Sequence, residues 1–145
     1  MVSNMGIVRF HILKPFTFNG KKKLKDAVAD LMESEGKSFT SLDYIFCSDE
    51  YLLEINQQYL QHDDLTDIIT FDLSNHPEEF KGEIYISVER VQDNSLLFNA
   101  TFPEELARVV FHGALHLCGY NDKSKKEQAE IREKEDYYLG IFSEK

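Results

Sequence analysis

The sequence predicts an α+β fold, a single domain in which a mixed sheet of about four strands is packed with about five helices. Three observations predict it. Short β-branched and aromatic runs alternate with helical patterns in the order β-α-β-α-β-β-α-α-α. The third and fourth strand runs are separated only by "SNHPEEFKG" (74–82), a connection suited to an antiparallel pair. A late stretch, Leu106 to Leu117, is apolar on nearly every face and so belongs at the centre of the packing.

The strands are read from "IVRFHIL" (7–13), "SLDYIFCS" (41–48), "DIITFDLS" (67–74) and "GEIYISV" (82–88), which alternate with period two in places. Between the first two, Leu24, Ala27, Val28 and Leu31 recur at helical spacing before Gly36. Leu52, Ile55 and Tyr59 do the same after an Asp49 cap. A third helix is expected over about 88–98, with Val88, Val91 and Phe98 on one side, and Ser87 can serve as its N-cap. Thr101 and Glu104 form a capping box for the fourth helix, and Gly119 is placed to end it in the left-handed region. The fifth, "SKKEQAEIREKEDYYLGIF", opens with a capping box at Ser124 and Glu127 and is charged until Tyr137, so it is expected on the surface with one anchored end. Repeats, linkers and low-complexity segments are absent, and 1–145 reads as one domain.

A chain of 145 residues can bury roughly 68–70% of its unfolded surface around one core and needs no staples. Cys47 and Cys118 stand in unrelated contexts, which suits a reducing cytoplasm. Arg9, His11 and Lys14 interrupt the apolar N-terminus, so no export signal is read, and no apolar run approaches the ~18 residues of a membrane span. A formal charge of −10 argues against a broad basic face gripping nucleic acid. Basic residues are local: Lys21, Lys22, Lys23 and Lys25 in one run, Lys123, Lys125 and Lys126 in another.

The chemistry concentrates in "HGALHLCGYND" (112–122). His112 and His116 lie one turn apart on the same helical face and can direct their imidazoles at one point. The stop at Gly119 lets the chain turn back, so Asp122 can supply a third ligand to a metal site at the end of the central helix. Three protein ligands leave one tetrahedral position open, the arrangement of a catalytic zinc. A lone pair of histidines on a buried helix is more often satisfied by ordinary partners. Here two imidazoles in the most apolar helix need partners to be affordable, and a metal would be one. His11, His62 and His76 are scattered. Gly113 occupies the place of a zinc protease's glutamate base, so a different hydrolytic substrate is expected.

The same segment resembles the HGxLHLxGYDH signature of the YbeY family of metal-dependent endoribonucleases. "LTDIITFDLS" (65–74) resembles that family's TDVLSFP-like segment, and "GEIYISVERV" (82–91) its GDIxIS strand and following helix. The resemblance implies a zinc-dependent, single-strand-specific endoribonuclease in the cytoplasm, with rRNA and the small ribosomal subunit as partners. Its work would be maturation of the 16S rRNA 3′ end and ribosome quality control. No membrane or DNA partner and a monomeric state are expected.

By that resemblance His112 and His116 are ligands and catalytic residues. The family's third histidine falls on Asp122 and the aspartate before it on Asn121. Carboxylate remains an accepted zinc ligand. Leu60 stands where the family has an arginine, with His62 nearby; Lys123, Lys125 or Lys126 could supply the cation. Thr66, Asp67 and Thr70 fall on a strand edge that the family places near the metal, although Asp67 is equally a turn residue; Tyr120 is read as core rather than as a base-stacking ring. Two other function classes remain: a ribosome-assembly factor with a mainly structural metal and weak or no nuclease activity, and a metal hydrolase of small amides or esters.

Overall fold

A computed structural model describes residues 6–60, 66–74 and 79–144. The chain runs β1 (Ile7–Ile12), α1 (Lys21–Ser34), β2 (Ser41–Cys47), α2 (Asp49–Ile55), a wide π-helical turn (Asn56–Leu60), β3 (Ile68–Asp72), β4 (Lys81–Ser87), α3 (Val88–Leu97), α4 (Phe102–Leu117) and α5 (Lys125–Glu144). The sheet order is β1-β2-β4-β3, parallel except where β3 pairs antiparallel with β4. This is the mixed four-stranded sheet with five helices that the pattern predicts.

Period-two alternation divides the sheet's two faces. Leu42, Tyr44 and Phe46 of β2, with Ile84 and Ile86 of β4, point into the main core and are all fully buried beside Leu106, Val110 and Phe111 of α4. Cys47, Ile69 and Tyr85 face the other way, where α2 adds Leu52 to a smaller cluster. The Tyr44 hydroxyl donates to the Val110 carbonyl at 2.9 Å, so the one polar atom of that buried ring is satisfied on the central helix.

Gly113 faces this contact. A Cβ there would lie 2.8 Å from Ile84 Cγ2 and 2.9 Å from Ile68 Cδ1, closer than side chains pack. The glycine therefore lets α4 lie directly on β3 and β4, and the position that carries a base in zinc proteases points here into the sheet, away from the histidines.

Several local expectations need correction. Ser48, not Asp49, caps α2: its hydroxyl accepts from the Tyr51 N–H, while the Asp49 carboxylate accepts from the Ser87 hydroxyl at 2.6 Å and from Arg90. Tyr59 lies beyond α2 in the π-helical turn and is exposed. On α3, Val88, Val91 and Ser95 are buried whereas Phe98 is 59% exposed. The anchors of α5 are Ile131, Glu135 and Tyr138; Tyr137 is exposed. Ser87 does cap α3, accepting from the Arg90 N–H.

Candidate metal centre

The site is built by the way α4 ends. Gly119 takes φ of 106°, and the turn closes with the Gly119 N–H donating to the His116 carbonyl at 3.0 Å and the Tyr120 N–H to the Leu115 carbonyl at 3.1 Å. This reversal swings the Tyr120 carbonyl back to accept from His116 Nδ1 at 2.9 Å. Four residues on, at Ser124, the capping box expected at the head of α5 is formed. The Ser124 hydroxyl accepts from the Glu127 N–H, and the Glu127 carboxylate accepts from the Ser124 N–H. Asp122 is thereby held between two locked turns and reaches the histidines.

His112 and His116 bring their ring centroids to 4.5 Å at 83°. Both Nε2 atoms stand 3.3 Å from the same Asp122 oxygen, Oδ2. One ligand atom from each of the three residues lies within 4.8 Å of the others.

The donor set fits a cation. A carbonyl only accepts, so in the neutral His116 ring the proton is on Nδ1 and Nε2 offers a lone pair. His112 Nδ1 lies 2.5 Å from Glu135 Oε2, which fixes the same tautomer there. Two lone pairs and a carboxylate oxygen then face one another with no hydrogen between them, a repulsive arrangement that a positive charge relieves. For metal–ligand distances of ~2.0–2.1 Å, neighbouring ligand atoms of a tetrahedron are ~3.3–3.4 Å apart. The two measured 3.3 Å separations match that edge.

The electrostatics agree. Burial of His112 disfavours its charged form, but the Glu135 carboxylate, then Asp122 and Asp67, more than offset this and leave the ring with a raised affinity for a proton. The surrounding carboxylates thus favour positive charge at this point.

Glu135 and Arg108 join the candidate site in the structure, and sequence reasoning missed both. Glu135 is 4% exposed and shares its carboxylate between His112 and Arg108 Nη1 at 3.0 Å; Arg108 Nη2 continues to Asp136 at 2.8 Å. Arg108, His112 and His116 form a polar stripe at successive turns of an otherwise apolar helix. Ile131, Glu135 and Tyr138 are the matching stripe on α5, a row that the helix's many charges mask in the sequence.

The other candidates separate. Asp67 lines the same cleft as His112 and Asp122, where burial above all raises its carboxyl's affinity for a proton. Its hydrogen bonds go elsewhere, its carbonyl accepting from the Ser87 N–H and its carboxylate from Asn94 at 3.5 Å. The Thr66 hydroxyl donates to the Ile68 carbonyl. Among the described residues the imidazole Nδ1 atoms are thus held by Glu135 and the Tyr120 carbonyl, while Asp67 acts on His112 through its charge alone. Lys125 lines the cleft, while Lys126 lines a separate cavity beside Tyr120 and Glu35. Tyr120 packs on the core and donates to Glu35 at 2.8 Å. His11 pairs with Asp43, 2.7 Å away. Leu60 is 41% exposed at the end of the π-helical turn, and His62 and His76 lie outside the described residues.

A family profile described as endoribonuclease YbeY matches residues 14–143. A curated relative from Flavobacterium psychrophilum, named endoribonuclease YbeY, is 54% identical over 115 residues, covering 79% of this chain and 81% of its own. One from Flavobacterium johnsoniae with the same name is 44% identical over 136 residues, 94% and 97% of the two chains. A solution structure of a Thermotoga maritima protein superposes with a TM-score of 0.64 at 32% identity, covering 94% of this chain and 89% of that one.

Proposed function

The chain belongs to the endoribonuclease YbeY family, and from that premise we propose that it is a metal-dependent, single-strand-specific endoribonuclease. Its metal, zinc in this proposal, is held by His112, His116 and Asp122, which are also its catalytic residues. Residues 1–145 act as one hydrolase domain, a monomer working in the cytoplasm on the 3′ end of 16S rRNA during small-subunit maturation and quality control. The observation that carries the proposal is the convergence of three acceptor atoms on one point with their tautomers fixed from behind. Among the described residues no helix is long and apolar enough to cross a membrane.

When bound, the ion supplies Lewis acidity toward a phosphodiester oxygen and makes water more acidic. The chain's own residues do the rest. Glu135 keeps the His112 proton on Nδ1, and the Tyr120 carbonyl keeps that of His116 on Nδ1, so both Nε2 lone pairs stay available. Asp122 adds an anionic ligand, which lowers the net charge of the centre relative to three imidazoles. Its side chain is 42% exposed against 20% and 22% for the two histidines, so substrate approaches from the Asp122 side.

Metal analysis of protein purified without a histidine-rich tag tests the site: about one zinc per chain is expected. His116→Ala should lose both the metal and RNA cleavage while staying folded, and a variant that keeps either one would overturn the assignment. Leu60, an uncharged residue where the family has an arginine, favours a second possibility, an assembly factor whose metal is structural. Metal-dependent ribosome binding without cleavage would establish it.

A further inference from the structure

We infer that the cleft leading into the metal centre carries a subsite for one unpaired base of the RNA strand, with the Phe98 ring as its stacking platform and Lys125 and Arg132 as contacts to the flanking phosphates. The inference rests on the endoribonuclease reading and names how that site holds its substrate.

The cleft has a volume of about 780 Å³ and runs between the end of α3 and the facing sides of α4 and α5. Phe98 forms one lip. It ends α3 just before Asn99, whose φ of 56° turns the chain into the Thr101 capping box, so the ring is carried on a corner fixed from both sides. Phe98 is 59% exposed, and among the described residues no other ring or cation packs on it. An exposed phenylalanine contributes little to folding, but an aromatic face at the mouth of a polar cleft is what an unpaired base stacks on.

Lys125 and Arg132 line the opposite wall, two turns apart on one face of α5 and so about 10 Å apart along its axis. Neither side chain has a hydrogen bond or ion pair among the described residues, although Arg132 lies near enough to Glu105 to act on it through charge. The carboxylates around them are already engaged or buried. Glu135 is matched by Arg108 and His112, and Asp122 faces the two histidines. Glu105 is buried at 6% exposure, and the Asp67 carboxylate accepts from Asn94 at 3.5 Å. In a chain of net charge −10, the mouth of this cleft presents two cations whose side chains make no hydrogen bond or ion pair among the described residues, together with an aromatic ring. Phosphates with a base between them are the complement of that set.

The test uses a fluorescent short oligoadenylate and a ribose–phosphate strand of equal length without bases, with binding followed by anisotropy in cold buffer and cleavage followed in parallel. Wild type should prefer the strand with bases. Phe98→Ala should raise Kd for oligoadenylate about 10-fold and leave the baseless strand unchanged, with Phe98→Tyr restoring binding. Lys125→Ala and Arg132→Ala should weaken both strands alike, each lowering the slope of log K against log salt by ~0.7. Equal binding of oligoadenylate by Phe98→Ala and wild type would overturn the stacking role, and an unchanged salt slope would overturn the phosphate contacts. If Phe98→Ala alters only self-association, the ring is a contact between copies and the inference fails. If the binding pattern holds but no preparation cleaves RNA, the subsite stands and the endoribonuclease reading is what fails.

Discussion

Two half-buried polar centres lie where α5 meets its neighbours, and they differ in a way that burial and charge do not reveal. Around Glu35, one carboxylate collects donors: the Tyr120 hydroxyl at 2.8 Å, the Tyr138 hydroxyl, and Lys134 at 3.5 Å. Around His112, His116 and Asp122, three acceptors face one another and the donors point outward to Glu135 and Tyr120. The first centre is complete as it stands; the second is complete only with an added positive charge. Counting donors against acceptors separates a structural cluster from a ligand site. Tyr120 belongs to both, giving its hydroxyl to one and its carbonyl to the other.

The largest expected effect breaks the open centre. His112→Ala combined with His116→Ala should reduce bound metal from about one per chain to near zero and lower RNA cleavage by at least ~100-fold, with the far-ultraviolet circular dichroism unchanged. Retained metal would show that the convergence of acceptors has no bearing on ligation.

Next comes the residue behind the histidine. Glu135→Gln preserves shape but removes the charge that orients His112 and pairs with Arg108, so metal affinity should fall ~10–100-fold by competitive chelator titration. An unaltered affinity would reduce Glu135 to a partner for Arg108 alone.

That Glu135 had to be found in the structure shows where the sequence stops being legible. The strands, the order of elements, both late capping boxes and the Gly119 stop were readable because each is a local pattern of a few residues. The two histidines and Asp122 were readable for the same reason, all lying within one short segment. Glu135 comes 23 residues after His112, on a helix so charged that one buried carboxylate has no contrast against its neighbours. The same charge hid the apolar stripe of α5, so the sequence predicts one anchored end where the structure buries Ile131, Glu135 and Tyr138 along the helix. Phe98 was misplaced because its periodicity continues that of Val88 and Val91, whereas α3 ends before its ring can reach the core.

Glu35→Gln addresses the closed centre and should be a stability variant only. Losing charge-assisted bonds from two tyrosines should cost about 2 kcal/mol by urea unfolding, with metal content unchanged because the Tyr120 carbonyl is untouched. The pH dependence follows from the depressed affinity of the Glu35 carboxylate for a proton: burial opposes ionisation, and the Tyr138, Tyr120 and Lys134 contacts together outweigh it. A carboxylate harder to protonate when folded contributes stability above its unfolded value and loses it as pH falls through the folded one. Wild type should therefore lose its advantage over Glu35→Gln as pH drops below the ordinary value of 4.5. An advantage that persisted in acid would mean the bonds do not depend on the charge.

The smallest effect is expected from Asp122→His, which exchanges one acceptor for another inside the open centre. A neutral imidazole keeps a lone pair where Oδ2 now stands, so metal should stay bound at about one per chain. Removing one negative charge leaves the ion less neutralised, so cleavage should hold or rise modestly and the pH at which activity half-develops should move down. The loop can accept the change, because Asp122 is held through its backbone carbonyl, which accepts from Gln128 at 3.0 Å, and not through its carboxylate. Loss of metal with the fold intact would show that the reach of the shorter aspartate side chain, and not its donor atom, is what the two turns around it have been set to deliver.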